Sequence, residues 1–260
     1  MLDKGMYLNH INDNEIVFKM RRLLDLIESS LKSHMVIESD FMDPYEQKLS
    51  ESILNRFQEL SYIFHGGLEE TERKCIIIHP EYIYSEDLES PVSYLKIEGH
   101  LDGLNHKDYL GAIMGIGLTR EKIGDILLYE NYTVVIVKKE IKDYILLNFE
   151  KAGNKNISIS EIQGENLVYP KPDFIELKKF VASLRLDVYL SAAYNISRSE
   201  SMGLIKSGDT KVNWEKIKKS DTVLEIGDVV SVRGKGRTIF YGLGGTSKKG
   251  RLNLTIRKLV

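Results

Sequence analysis

The spacing of apolar residues changes along this chain. From Glu15 to Leu31 they recur every three to four positions, with Val17, Met20, Leu24, Ile27 and Leu31 on one face of a helix. A second helix is expected from Asp43-Pro44, with Pro in the first turn and Leu49, Ile53, Phe57 and Leu60 as its stripe, stopped by His65-Gly66-Gly67. From Cys75 onward short apolar and alternating runs take over. Cys75 to His79 and Tyr132 to Val137 read as buried strands, and Val92 to Glu98 as a half-buried one. Mixed periods of this kind point to an α+β chain.

The breaks in the pattern suggest three small domains. Residues 1–74 form an N-terminal helical domain. Residues 75–165 form a central α/β sandwich with the economy of a ferredoxin-like plait: helices at His106 to Met114, after a Thr119 cap, and at Lys139 to Lys151, and a last strand at Asn156 to Ser160. Asn166 to Asp173, with Pro170 and Pro172, is the expected linker. Residues 180–260 hold helices at Phe180 to Tyr194 and Ser197 to Lys206, then strands at Lys211 to Trp214, Val229 to Arg233 and Leu252 to Arg257.

The 36 basic and 38 acidic side chains nearly cancel, but they are not evenly placed. Residues 1–75 carry 9 basic and 14 acidic groups, residues 76–180 carry 12 and 17, and residues 181–260 carry 15 and 7. The balances are therefore -5, -5 and +8. After Asp228 no acidic side chain follows, while Arg233, Lys235, Arg237, Lys248, Lys249, Arg251, Arg257 and Lys258 do. Such a split suits a polyanionic partner, although a solvated basic face with no ligand has the same composition. The single cysteine, Cys75, excludes a disulfide framework and a Cys-rich zinc site. Apolar runs such as Thr133 to Val137 fall far short of a membrane span, and Met1-Leu2-Asp3-Lys4-Gly5 lacks the order of a signal peptide, so a cytoplasmic protein is expected.

Catalytic patterns are weak. His100, Asp102, His106 and Asp108 could be drawn as an acid–base or metal set, but no third ligand follows at metal spacing. Gly242-Leu243-Gly244-Gly245 and Gly115-Ile116-Gly117 lack the strand–turn–helix setting of a nucleotide loop. No metal or cofactor is expected.

The segment from Leu184 to Arg237 carries the strongest signal. It runs Leu-Arg-Leu-Asp187-Val-Tyr-Leu190, Ile-Ser-Arg198-Ser199, Leu-Ile-Lys206-Ser-Gly208, Val212-Asn213, Gly227-Asp228-Val-Val-Ser-Val and Arg233-Gly-Lys-Gly-Arg237. Ser197 can cap the second helix, leaving first-turn N–H groups near Arg198 and Ser199 for a phosphate. Gly234 and Gly236 would let the backbone approach a ligand closely. No cluster of exposed aromatics accompanies the basic residues, so phosphate contact and shape are expected rather than base stacking.

These pieces resemble the small RNA-binding domain of ribosomal protein S-four, also found in tyrosyl-tRNA synthetases and pseudouridine synthases. The resemblance implies an αα-plus-sheet fold whose helix pair docks on structured RNA. Arg185, Arg198, Ser199 and Lys206 would be helix-side contacts, and Lys211, Arg233, Lys235 and Arg237 strand-side ones; the basic run adds Lys248, Lys249 and Arg251. One departure stands out: the family usually has Asn-Gly in the hairpin turn, and here Trp214 follows Asn213. The stretch His106-Lys-Asp-Tyr-Leu-Gly-Ala-Ile-Met-Gly-Ile-Gly-Leu-Thr-Arg-Glu-Lys-Ile-Gly-Asp125 is similar to the middle-domain signature of the YlmH family. That resemblance implies association with ribosomal RNA of the large subunit and with peptidyl-tRNA, in rescue of stalled translation; the leading reading is a non-catalytic monomer. The resemblance also implies a second RNA surface at Lys107, Arg120 and Lys122.

Two other readings remain open. An RNA-modifying enzyme could use the C-terminal module as an anchor, but His100-Leu-Asp102-Gly-Leu-Asn departs from the Arg-Leu-Asp-x-x-Thr-Ser-Gly of a pseudouridine synthase, and His79-Pro80-Glu81 stands where a methyltransferase would place glycines. A cell-division scaffold cannot be separated by motif. Under the leading reading, replacing Arg185 and Arg198 by Ala should release the protein from ribosomes with thermal unfolding nearly unchanged.

Overall fold

Asp13 and Asp43 each start a helix by accepting a backbone N–H, and Asp43 forms a reciprocal capping box with Glu46. In the computed structural model, which describes residues 2–259, the N-terminal elements are α1 (Lys4–Leu8), α2 (Asn14–Ser33), β1 (Ile37–Glu38), α3 (Pro44–Leu54), β2 (Leu60–His65) and β3 (Cys75–Pro80). Helix α2 buries Met20, Leu23, Leu24 and Ile27. Helix α3 ends at Leu54, short of the expected stop at His65. Phe57 and Leu60 are still buried, but Leu60 opens β2, whose six residues pair with β3. Strand β3, expected to open the central sandwich, is instead the middle strand of the sheet β1-β3-β2. Burial of all six of its residues accounts for the unbroken apolar run.

The central part follows as β4 (Val92–Gly99), α4 (His106–Gly115), β5 (Ile123–Leu128), β6 (Thr133–Lys138), α5 (Lys142–Asn148), β7 (Lys151–Ala152) and β8 (Lys155–Ile162). All pairings are antiparallel, in the order β5-β6-β4-β8-β7. Leaving β7 aside, β4-α4-β5-β6-α5-β8 is the ferredoxin-like plait. The helix expected after Thr119 is only a 3-10 turn, Arg120–Lys122, leading into β5. The apolar Ile-Gly-Asp-Ile-Leu-Leu segment is drawn into the sheet beside β6.

One face of this sheet packs on its helices through Leu95, Ile97, Tyr109, Ile113, Val135 and Ile145. The other face, with Val92, Leu127, Val134 and Ile136, shares a core with Phe41 and Cys75 of the N-terminal part. The seam also has polar ties. Buried Asp125 accepts the N–H groups of Glu72 (2.8 Å) and Arg73 (3.0 Å), and Arg73 donates to the carbonyls of Ile123 and Phe41. The Tyr94 hydroxyl donates to the Gly67 carbonyl at 2.8 Å. Gly164 lies against that ring so closely that a Cβ would come within 2.4 Å of it, so only glycine fits there. These parts form one compact unit, Met1–Pro170, and the division from Lys171–Val260 falls inside the expected linker.

The second unit comprises β9 (Phe174–Val181), α6 (Leu186–Tyr194), α7 (Arg198–Lys206), β10 (Thr210–Val212), β11 (Glu215–Lys216), β12 (Val229–Val232), β13 (Gly236–Thr246) and β14 (Leu252–Leu259). Phe180 lies in β9, not in the expected first helix, because β9 pairs with β14 along its whole length. The glycine-rich 242–245 stretch is likewise strand, inside β13, with register shifts that bulge it against β14. The sheet order is β11-β10-β12-β13-β14-β9. Leu186, Tyr189, Leu190 and Ile205 of the helix pair pack onto Val230, Phe240, Leu254 and Ile256.

Candidate nucleic-acid interface

Asp187 lies in the first turn of α6 and its side chain is fully buried. Its carboxylate takes a forked pair of bonds from Arg185, Nε to Oδ1 at 3.0 Å and Nη2 to Oδ2 at 3.4 Å. Arg198, at the start of α7, donates its Nε to Oδ2 at 2.8 Å, and the N–H of Val188 donates to Oδ1 at 3.0 Å. Burial would raise the Asp187 pKa, but the bonds from Arg185 and Arg198 outweigh it and hold the carboxyl below its usual range. The two arginine side chains keep 38% and 59% of their surface exposed. Each guanidinium has five N–H donors, so both retain donors beyond those held by Asp187. The result is a pair of oriented guanidinium forks with net charge +1, suited to bidentate phosphate contact.

This geometry overturns one expectation from the sequence. Alanine at both positions would strand the Asp187 carboxylate without its charged partners. The fold would lose stability, though by less than the full buried-pair value because both guanidinium groups reach solvent. Asp187 itself, which is not among the contacts expected from the sequence, is the anchor. The signal was present as an acidic residue flanked by two arginines at helix starts.

Ser197 caps α7 by accepting the Glu200 N–H at 3.1 Å, as expected, and Ser199 is exposed in that first turn. Glu200 also pairs with Lys235 at 3.1 Å, bringing the β12–β13 turn beside the first turn of α7. Lys206 is exposed at the far end of α7, and Arg233 lies 3.8 Å from Asp209 beyond it. Gly234 and Gly236 have φ of 77° and 89°, so the turn needs them for its conformation, and a Cβ at either would meet nothing within 4 Å. Lys248, Lys249 and Arg251 are exposed on the β13–β14 hairpin, at the opposite end of an 11-residue strand that spans roughly 33 Å if extended. They do not join Arg233 and Lys235.

The central candidates separate sharply. Lys107 is exposed in the first turn of α4. Arg120 is turned inward, donating to the carbonyls of Ile123 and Gly124, and burial with the nearby charge of Arg73 brings its pKa down to about 10. Lys122 is held by Asp40 and Glu140. Asp108 belongs to the α4 capping box with Asn105, while His100 and Asp102 are exposed and 3.6 Å apart.

Aromatic residues do accompany the basic ones, contrary to the sequence reading. They are far apart in the chain, at positions 174, 180, 214 and 241, and the sheet gathers them. Along β13, Thr238 and Phe240 are buried toward the helices, so Arg237 and Ile239 lie on the outer face. The Arg237 guanidinium stands 5.1 Å from the Trp214 ring centre. Arg257, paired in register with Ile239, stands 3.3 Å from the Tyr241 ring centre and 5.7 Å from that of Phe174. Asn213 and Trp214 form the β10–β11 turn with φ of 48° and 65°. The Asn213 amide is occupied within the fold, donating to Asp228 at 2.7 Å and accepting the Val229 N–H at 2.9 Å. A left-handed Trp costs roughly 1–2 kcal/mol relative to a right-handed one. Glycine would adopt that turn freely.

A helix pair that displays clamped arginines above an antiparallel sheet, joined in one chain to a ferredoxin-like plait, defines a class of RNA-binding protein. The family model "S4 domain", that of ribosomal protein S-four, matches residues 184–230. Two further models, "YlmH, N-terminal" and "Putative RNA-binding domain in YlmH", match residues 16–83 and 85–166. Over 222 residues the chain is 32% identical to "Ribosome-associated protein quality control protein P2" of Bacillus subtilis (strain 168), covering 85% of this chain and 86% of that protein. The chain belongs to the YlmH family. Among solved structures, "Cell division protein ylmH from Streptococcus pneumoniae" matches with a TM-score of 0.52 at 19% identity, covering 58% of this chain and 93% of that one, which supports the fold alone. Among the described residues, no helix is long and apolar enough to cross a membrane.

Proposed function

We propose that this chain is a monomeric RNA-binding protein of ribosome-associated quality control that works without catalysis. It docks through the Arg185–Asp187–Arg198 cradle on structured RNA of the large ribosomal subunit, close to peptidyl-tRNA. The observation that carries this reading is the buried carboxylate orienting two exposed guanidinium groups. The quality-control role named for the Bacillus subtilis relative supplies the setting. Lys235, Ser199 and Lys206 extend the contact along α7, and Lys107 is the remaining candidate on the plait.

Sucrose-gradient co-sedimentation tests it. Gln at both Arg185 and Arg198 removes the charge while its amide can still donate to Asp187. That variant should bind ribosomes about a hundredfold more weakly than wild type. With about four phosphates engaged, log K should fall against log[salt] with a slope of roughly -3 to -4. Undiminished sedimentation of the double variant would reject the cradle. A ribosomal nucleoside modification missing from cells without the protein would instead favour an enzyme.

A further inference from the structure

The outer face of the C-terminal sheet has a use that phosphate docking leaves unexplained. We propose that it takes up unpaired RNA nucleotides by base stacking, with Trp214–Arg237 and Arg257–Tyr241 as its two platforms. The inference rests on the RNA-binding reading only for the chemistry of the partner; the surface is separate from the cradle.

Three observations converge. The chain's single tryptophan sits at a turn position with φ of 65°, where glycine would be free of strain. Its ring is covered by a guanidinium instead of being packed into the core. The second arginine–aromatic group lies on the same face, since Arg257 is the register partner of Ile239, two residues from Arg237. Tyr241 is 48% exposed, and Phe180, on β9 beyond the intervening β14, is 56% exposed.

Cationic side chains line that face, with Lys178 and Lys211 beside the arginines, while Glu176 lies 3.8 Å from Arg257. Exposed Tyr241 and Phe180 and part-buried Trp214, interleaved with guanidinium groups, match a flexible polyanion whose bases are free to stack. Double-stranded RNA offers its phosphates but keeps its bases stacked on one another.

Trp214 reports the event directly, because it is the only tryptophan. The full chain is titrated with an unstructured oligoadenylate of about ten nucleotides, within the usual site size for such surfaces. Saturable quenching of tryptophan emission is expected, with much weaker quenching by the same strand annealed to its complement. Tyr241→Ala should weaken binding by about fivefold to a hundredfold. Trp214→Gly places the favoured residue in the turn and should fold at least as well. Its binding, read by anisotropy of a labelled oligonucleotide, should fall by the same range.

Absence of quenching, equal quenching by the duplex, or wild-type affinity in both variants would each overturn the proposal. So would quenching by an acidic peptide but not by RNA, which would make the face a protein-docking surface. The double Gln variant at Arg185 and Arg198 should keep the oligonucleotide signal while losing ribosomes; loss of both would merge the two surfaces and end the proposal. If the wild-type chain fails to sediment with ribosomes yet is quenched by oligoadenylate, the ribosomal reading falls and this one stands.

Discussion

Lys122 and Arg198 are both cations anchored by aspartate, yet they do opposite things. Lys122 is held between Asp40 and Glu140, so two carboxylates surround one positive charge. In the second unit one carboxylate serves two arginines, and charge is left over. The same contrast runs through the larger parts. In residues 1–75 and 76–180, each with a balance of -5, Lys19 pairs with Glu46, Lys138 with Glu38 and Lys142 with Glu161. Their cations stabilise the fold. In residues 181–260 cations outnumber carboxylates, and Arg185 and Arg198 keep part of their surface exposed while anchored. Counting basic residues therefore says little about RNA binding until the carboxylate that each one faces is known.

The sharpest way to break this comparison is to remove Asp187. If charge alone mattered, Asp187→Asn would strengthen RNA binding by making the cradle more positive. If orientation matters, it should weaken binding about tenfold, because the forks lose their anchor. Filter binding to a structured ribosomal RNA fragment checks the sign.

Next in size, Arg120→Ala should destabilise the first unit by about 1–3 kcal/mol, since two carbonyls lose their donor. RNA affinity should stay within about twofold, and a tenfold loss would return Arg120 to the interface. Lys122→Ala should act in the same direction by about 1 kcal/mol or less, because its pairs are partly exposed.

The smallest effect concerns acid. Burial and the charge of Lys138 lower the pKa of His65. The unfolded chain therefore binds the extra proton, and the first unit should lose stability as the pH falls below about 6.5 toward the folded value. Asp187 is also lowered, but from the carboxylate range, so the second unit keeps its contribution until about pH 4 and loses it below. Acid titration followed by near-ultraviolet circular dichroism should show the single Trp214 signal persisting after the first unit has begun to respond. Simultaneous loss would contradict the contrast.

Much of the fold could be read from local chemistry. The Asp43-Pro44 start, the Ser197 cap and the β6 run all appear where their residues indicate. What failed were segments whose state is decided by a distant partner. Phe180 looked helical beside Leu184, yet β14 claims it as strand. The stretch after Thr119 read as a short helix, yet past a single 3-10 turn Ile123 to Leu128 is strand paired with β6. The site divides in the same way. Arg185 and Arg198 stood out from motif spacing with Asp187 between them, but only the fold shows that Asp187 binds both and that residues 174, 214 and 241 share a face.

The pairing of β9 with β14 bears on when this protein becomes functional during its own synthesis. Val181 cannot find Leu252 until about 70 further residues have been made, nor Phe174 find Leu259 until about 85 have. At roughly 5–20 residues per second the first strand waits several seconds for its neighbour. Helices α6 and α7 emerge early but lack the Phe240, Leu254 and Ile256 surface on which they pack. A nascent copy therefore carries its arginines before it carries the sheet on which their helices pack, which delays a full-strength interface until β14 has been made.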